Sequence, residues 1–197
     1  MIYAGIGARI TPPDVLEVMT RLGAVLAKAG FTLRSGAASG ADRAFESGAC
    51  SVGGRREIYL PFAGFQGHDS SLFNVGEGAM ELAARFHPAW DQLSPTVKRL
   101  HGRNAYQVLG VQLDRPADFV ICWTPDGCVS HANRRRSTGG TGTAISIADA
   151  YRVPVFNLQN GASRAALAGR LAHLSEVEGS LAKIAASPVA WRQDSLF

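Results

Sequence analysis

Residues 34–43 read R-S-G-A-A-S-G-A-D-R, a run whose residue types suit the capture of an anion. Ser35 and Ser39 bring hydroxyl donors, Gly36 and Gly40 let a ligand approach the main chain, and Arg34 and Arg43 supply planar forks of N–H groups that match phosphate geometry. An apolar run before Arg34 predicts a β-strand, and residues 42–48 predict a helix, so these residues occupy the joint between the two. The start of a helix leaves backbone N–H groups unsatisfied and carries the positive end of the helix dipole. Phosphate is the expected occupant, and a tight turn whose glycines serve only packing is the plain alternative. Thr138-Gly139-Gly140-Thr141-Gly142-Thr143 forms a second such joint, directly after the basic run Arg134-Arg135-Arg136. A third turn contains Gly7 and Arg9.

The elements that must position these turns alternate along the chain. Residues 1–6 predict a short buried strand. Thr11 then stands as a cap before Pro12 and Pro13, which open a helix running through Lys28. Residues 57–60 read as a third strand, 62–74 as a long loop, 75–86 as a helix and 94–113 as a mostly helical stretch holding Arg99, Arg103 and Asn104. Residues 117–123 (A-D-F-V-I-C-W) are apolar almost throughout, as parallel strands are. A polar loop at 124–137, a helix at 144–151, a strand at 153–158 and an Ala-rich helix at 162–186 complete the pattern.

Alternation of this kind predicts an α/β fold: a doubly wound, mostly parallel, Rossmann-like sheet in a single domain. Residues 1–160 form its body, 161–190 a C-terminal helical segment of the same domain and 191–197 a flexible tail. Ligands of such sheets bind outside the carboxyl ends of the strands, where turns 5–9, 34–42 and 138–143 are expected to meet.

Composition narrows the classes. No apolar run approaches the roughly 18 residues that span a bilayer, so a cytoplasmic protein without a membrane partner is expected. Cys50, Cys122 and Cys128 lack a C-x-x-C spacing and read as plain thiols, and the five histidines show no metal-binding pattern. Neither a metal nor another cofactor is expected. Seventeen arginines stand against three lysines, a bias that fits a nucleotide or nucleic-acid partner, although a GC-rich genome produces the same bias.

Four stretches, in order, resemble the DprA/Smf family of DNA-processing proteins within the SLOG group. Gly5-Ile6-Gly7-Ala8-Arg9 resembles the family's first-strand G-[ST]-R turn, with Ala8 in place of the small hydroxyl residue. Ser35-Gly36-Ala37-Ala38-Ser39-Gly40-Ala41-Asp42 resembles its S-G-x-A-x-G-I-D turn, and Arg103-Asn104 with Gly110 its R-N-R-x-I-x-G helix. Gly142-Thr143-Ala144 with Val155-Phe156 resembles the family's ending. The resemblance implies single-stranded DNA binding in aid of recombination, a possible homodimer, and a phosphate pocket lined by Arg9, Ser35, Gly36, Gly40, Arg103 and Asn104. Tyr3, Phe65, Phe73, Tyr106 and Trp123 are the aromatic candidates for stacking on bases, with the core as their plainer destination.

A similar fold belongs to the LOG-type nucleoside-monophosphate phosphoribohydrolases, whose signature is P-G-G-x-G-T-x-x-E. Residues 139–143 resemble its centre, but Ser146 stands at the position of the catalytic glutamate and Asp149 lies three residues further on. A nucleotide-sensing SLOG domain is a third class of reading. The chain's last five residues, Gln193-Asp194-Ser195-Leu196-Phe197, resemble the pentapeptide that docks on bacterial sliding clamps, with Gln193, Leu196 and Phe197 as anchors. Deleting residues 193–197 is expected to abolish co-elution with a sliding clamp while leaving oligonucleotide affinity unchanged; retained co-elution contradicts the tail reading.

Overall fold

Five short strands form the sheet: β1 (Ile2–Gly5), β2 (Thr32–Ser35), β3 (Arg56–Ile58), β4 (Phe119–Cys122) and β5 (Val155–Asn157). The computed structural model describes residues 1–184, so Gln193, Leu196 and Phe197 lie outside the described residues. All strand pairs are parallel, in the order β3-β2-β1-β4-β5. This is the doubly wound, Rossmann-like order, and the chain reverses direction across the sheet between β1 and β4.

Alternate side chains of the strands feed two cores. Tyr3, Leu33, Phe119, Ile121 and Phe156 join one, together with α1 (Pro13–Lys28), α2 (Ala41–Ser51), α6 (Gly161–Arg170) and α7 (Ser175–Ala182). Ile2, Ala4, Val120 and Cys122 join the other, with α3 (Glu77–Phe86), α4 (Pro95–Leu109) and α5 (Thr141–Ala150). Helices pack on both faces of the sheet, which is why β1 and β4 are buried throughout, whereas β3, at the edge, carries the exposed Arg56. The five expected strands are all present; β1, β4 and β5 are trimmed at both ends, while β2 runs one residue past Arg34 to Ser35 and β3 starts at Arg56, one residue before Glu57, and stops at Ile58.

Four local details differ from the expected elements. The stretch expected to be helical to residue 113 ends at Leu109, because Gly110 turns the chain with φ 77°. The Ala-rich helix is two helices: residues between Arg170 and Ser175 form a turn that lets Leu171 and Leu174 pack on the same core as Leu167 and Val177. Helix α5 begins at Thr141, earlier than expected, and takes Gly142 and Thr143 into its first turn. Thr11 caps nothing; its hydroxyl donates to the Ala8 carbonyl at 2.7 Å and shapes the turn after β1.

Helices α1 and α2 cross at two glycines. A Cβ on Gly48 would lie 1.9 Å from the Thr20 carbonyl oxygen, and one on Gly23 would lie 2.4 Å from that of Phe45. Backbone leaves no room to yield there. Gly48→Ala is expected to lower unfolding stability by about 1–3 kcal/mol or more through overpacking, measured by urea titration. A stability equal to that of the parent would show that the helices can separate at no cost.

Candidate functional site

Helix α4 is buried from His101 through Leu109, an unusual length for a helix that carries His, Arg, Asn and Gln. Its polar side chains are buried because they cross the carboxyl edge of the sheet. Arg103 and Gln107 stand four apart and share one face. Arg103 Nη1 donates to Asp42 Oδ2 at 3.2 Å, and Gln107 Nε2 donates to the same oxygen at 3.5 Å. Asp42, in the first turn of α2, also accepts the backbone N–H groups of Ala38 and Gly7. It therefore acts neither as a cap through its own turn alone nor as an exposed base. One carboxylate gathers the turn after β1, the turn after β2 and the helix on the opposite face.

The glycines of the second turn are explained by that pair. A Cβ on Gly36 would sit 1.1 Å from Arg103 Nη1, so the guanidinium lies where any side chain would be. Gly40 takes φ 85°, and a Cβ there would lie 2.6 Å from the Arg9 carbonyl oxygen. The first and second turns thus touch backbone to backbone. Ala41 N–H approaches the Ala8 carbonyl at 3.5 Å, and Ala8 N–H donates to the Trp123 carbonyl at 3.1 Å beyond β4.

The electrostatics of this edge are one-sided. Burial pushes the Asp42 carboxyl up, opposed by Arg103 and by the two backbone N–H groups. Burial lowers Arg103 and the nearby Arg9 charge adds to that, while Asp42 opposes it. Arg103 is only 5% exposed, and its Nε is buried with no hydrogen-bond partner. An unsatisfied buried donor costs about 1–3 kcal/mol, more on a charged group, so its retention asks for an explanation.

The third turn reaches the same edge. Asn104 Nδ2 donates to the Gly140 carbonyl at 3.1 Å, joining α4 to the approach to α5. Thr143 is fully buried, and its hydroxyl meets His101 Nδ1 at 2.9 Å. Arg134 lies over Gly142, where a Cβ would come 2.5 Å from its Nε, and Nη1 donates to the Phe86 carbonyl. Gly139, Gly140, Arg135 and Arg136 are exposed and Thr141 is half-buried beside them. Thr138 Oγ1 accepts the Arg135 N–H at 2.9 Å and donates to Asp126, which fixes the bend before the helix.

Arg9, Gly7, Gly36, Ser39, Gly40, Arg103, Asn104 and residues 139–143 are therefore brought to one edge, while two expected donors are spent elsewhere. Arg34 is 2% exposed; its Nε donates to Glu57 at 2.6 Å and its Nη1 to the Arg115 carbonyl at 2.6 Å. Its side chain leaves β2 toward Gly110, away from the turn. Ser35 Oγ donates to the Gly5 carbonyl at 2.6 Å and binds β2 to β1. Arg43 is exposed at the rim and donates to the Gln66 carbonyl at 2.7 Å. Sequence reasoning missed Gln107, His87 and His101. The four-residue spacing of Arg103 and Gln107 was a usable signal for the first; nothing in the sequence ties His101 to Thr143, 42 residues away.

What the architecture establishes is a Rossmann-like α/β domain whose three glycine-containing turns meet at one sheet edge. The chain matches no protein-family model, no curated protein and no solved structure.

Arg103→Met is expected to cost about 3–5 kcal/mol at neutral pH, because it leaves Asp42 buried and unpaired. In that variant the folded-state pKa of Asp42 lies above its unfolded value. The native state then holds the extra proton, so stability is greatest at acid pH and is lost as pH rises through the folded pKa. Urea unfolding is expected to give a smaller penalty at pH 5 than at pH 7.5; an equal penalty at both contradicts the central role of this carboxylate.

Proposed function

We propose that the protein binds single-stranded DNA through its phosphates at the carboxyl edge of the sheet, performing no chemistry on it, in a DprA-like role in DNA processing. The observation that carries this reading is the unpaired, buried Nε of Arg103 at the open end of α2, with Arg9 beside it and Asp42 as the carboxylate among them. A phosphate oxygen supplies the missing acceptor and the missing negative charge together. Exposed Arg9, Arg43, Arg135 and Arg136 extend the positive rim on either side, which suits a chain of phosphates better than one.

A mononucleotide ligand, as in a nucleotide-sensing domain, is the second reading, and one observation favours it. Of the five aromatics expected to stack on bases, Tyr3, Phe65, Tyr106 and Trp123 are in the core and Phe73 is 44% exposed. An N-glycosidic hydrolase has less support: Ser146 is fully buried and its hydroxyl meets His131 Nδ1 at 2.9 Å, while Asp149 Oδ2 accepts the His131 N–H at 2.8 Å. Neither side chain presents a carboxylate where the signature of those hydrolases has its glutamate. A sliding clamp and a second copy of the chain remain partners proposed on resemblance alone.

Binding of a labelled thymidine oligonucleotide across a salt series tests the reading, with nucleoside monophosphates as competitors and product analysis of the same mixtures. The expected slope of log affinity against log salt is several times the roughly −0.7 due to each phosphate contact, and Arg9→Ala is expected to reduce it by about one contact. A shallow slope with efficient displacement by a monophosphate supports the second reading. Released free base moves the protein to the hydrolases.

A further inference from the structure

Two imidazoles near the start of α5 have no part in the reading above. The rings of His87 and His101 meet edge to face with centroids 4.4 Å apart. His101 is 8% exposed, and its Nδ1 is held by the Thr143 hydroxyl, in the first turn of α5. His87 Nδ1 accepts the Ala89 N–H at 3.3 Å, which places the proton of the neutral ring on Nε2. Neither Nε2 has a hydrogen-bond partner among the described residues. Arg134, anchored on the Phe86 carbonyl and lying over Gly142, completes the group. Gly140 is exposed next to it, and a Cβ there would come 3.9 Å from His101 Cε1.

We propose that His87, His101 and Arg134 form, with the first turn of α5, a second phosphate subsite whose occupation is coupled to proton uptake by the imidazole pair. The subsite deepens the function proposed above and rests on it: the ligand must carry at least two phosphate groups, one for the α2 turn and one for this cluster. Helix α4 links the two places, since Arg103, His101 and Asn104 reach both.

The charges that face the pair support the coupling. Burial lowers His101 to about 4, and His87, Arg134 and Arg103 add to the shift. His87 is lowered by burial and by Arg134. Trp90 packs against His87 and carries Lys98 over its ring, a further cation on that side. No carboxylate contributes to either shift. Burial first, and the positive neighbours after it, thus disfavour the charged form of both rings. The same surroundings disfavour a metal cation between the two free nitrogens. A phosphate reverses the balance: it is attracted by Arg134 and the helix end, and it then stabilises the imidazolium form. Binding to a group whose pKa rises in the complex tightens as pH falls through the bound-state value.

The test uses inorganic sulfate, whose charge is nearly constant across the range, with the histidine ring signals and backbone amides of the full chain followed by NMR between about pH 3.5 and 8. Sulfate is expected to shift the His87 and His101 ring signals, to raise their titration midpoints, and to bind roughly tenfold tighter at pH 5.5 than at pH 7.5. His101→Gln, which keeps a polar side chain but does not titrate, is expected to remove that pH dependence; His87→Gln serves if the first variant does not fold. Amides of residues 36–42 that respond while both histidines stay unmoved overturn the subsite and leave the proposed function standing. No response at either place, with sulfate and with a thymidine oligonucleotide alike, overturns both.

Discussion

The buried contact between Asp42 and Arg103 is the constraint on which the rest of this edge depends. The two residues come from helices on opposite faces of the sheet, and they meet over the ends of the strands. Removing two charges from water is expensive, and their mutual attraction rarely returns more than that cost. The pair is better understood through what it arranges. Asp42 collects N–H donors from Gly7 and Ala38 as well as Arg103 and Gln107, so a single side chain fixes two turns and one helix. Gly36 has no side chain because the guanidinium of Arg103 occupies that space.

From that arrangement comes an imbalance of charge. The strand order brings three loops to the carboxyl edge near the reversal between β1 and β4, and the loops carry arginines with few acids. Asp42 satisfies one nitrogen of Arg103 and leaves Nε without a partner. Around α5 a related pattern recurs with histidines, whose charged form is disfavoured by burial and then by neighbouring cations. The proposed phosphate-bearing ligand would relieve both places at once. The acidic groups that do lie nearby are engaged in shaping loops, as Asp126 is with Thr124 and Thr138.

Much of the fold was legible because its signals are local. Apolar runs such as F-V-I-C and the 3.6-residue recurrence in α1 need no knowledge of the partner element. The two glycine turns after β2 and before α5 were legible for the same reason. The fate of Arg34 was not, because it depends on Glu57 and on the Arg115 carbonyl 81 residues away. Ser35 and Thr143 looked like hydroxyl donors to a ligand and are used instead to join strands and to hold His101. In each case the residue type announced a polar contact, and only the tertiary structure decided with what. The break between α6 and α7 was hidden by an alanine-rich composition that favours helix throughout.

The most direct test of the proposed anion-binding edge is backbone amide mapping of the labelled protein as a thymidine oligonucleotide is added. The account predicts shifts concentrated at residues 7–9, 36–42 and 139–143, together with the Nε–H signal of Arg103. Shifts that cluster on another surface, with these amides and the Arg103 signal unmoved at saturation, would contradict it.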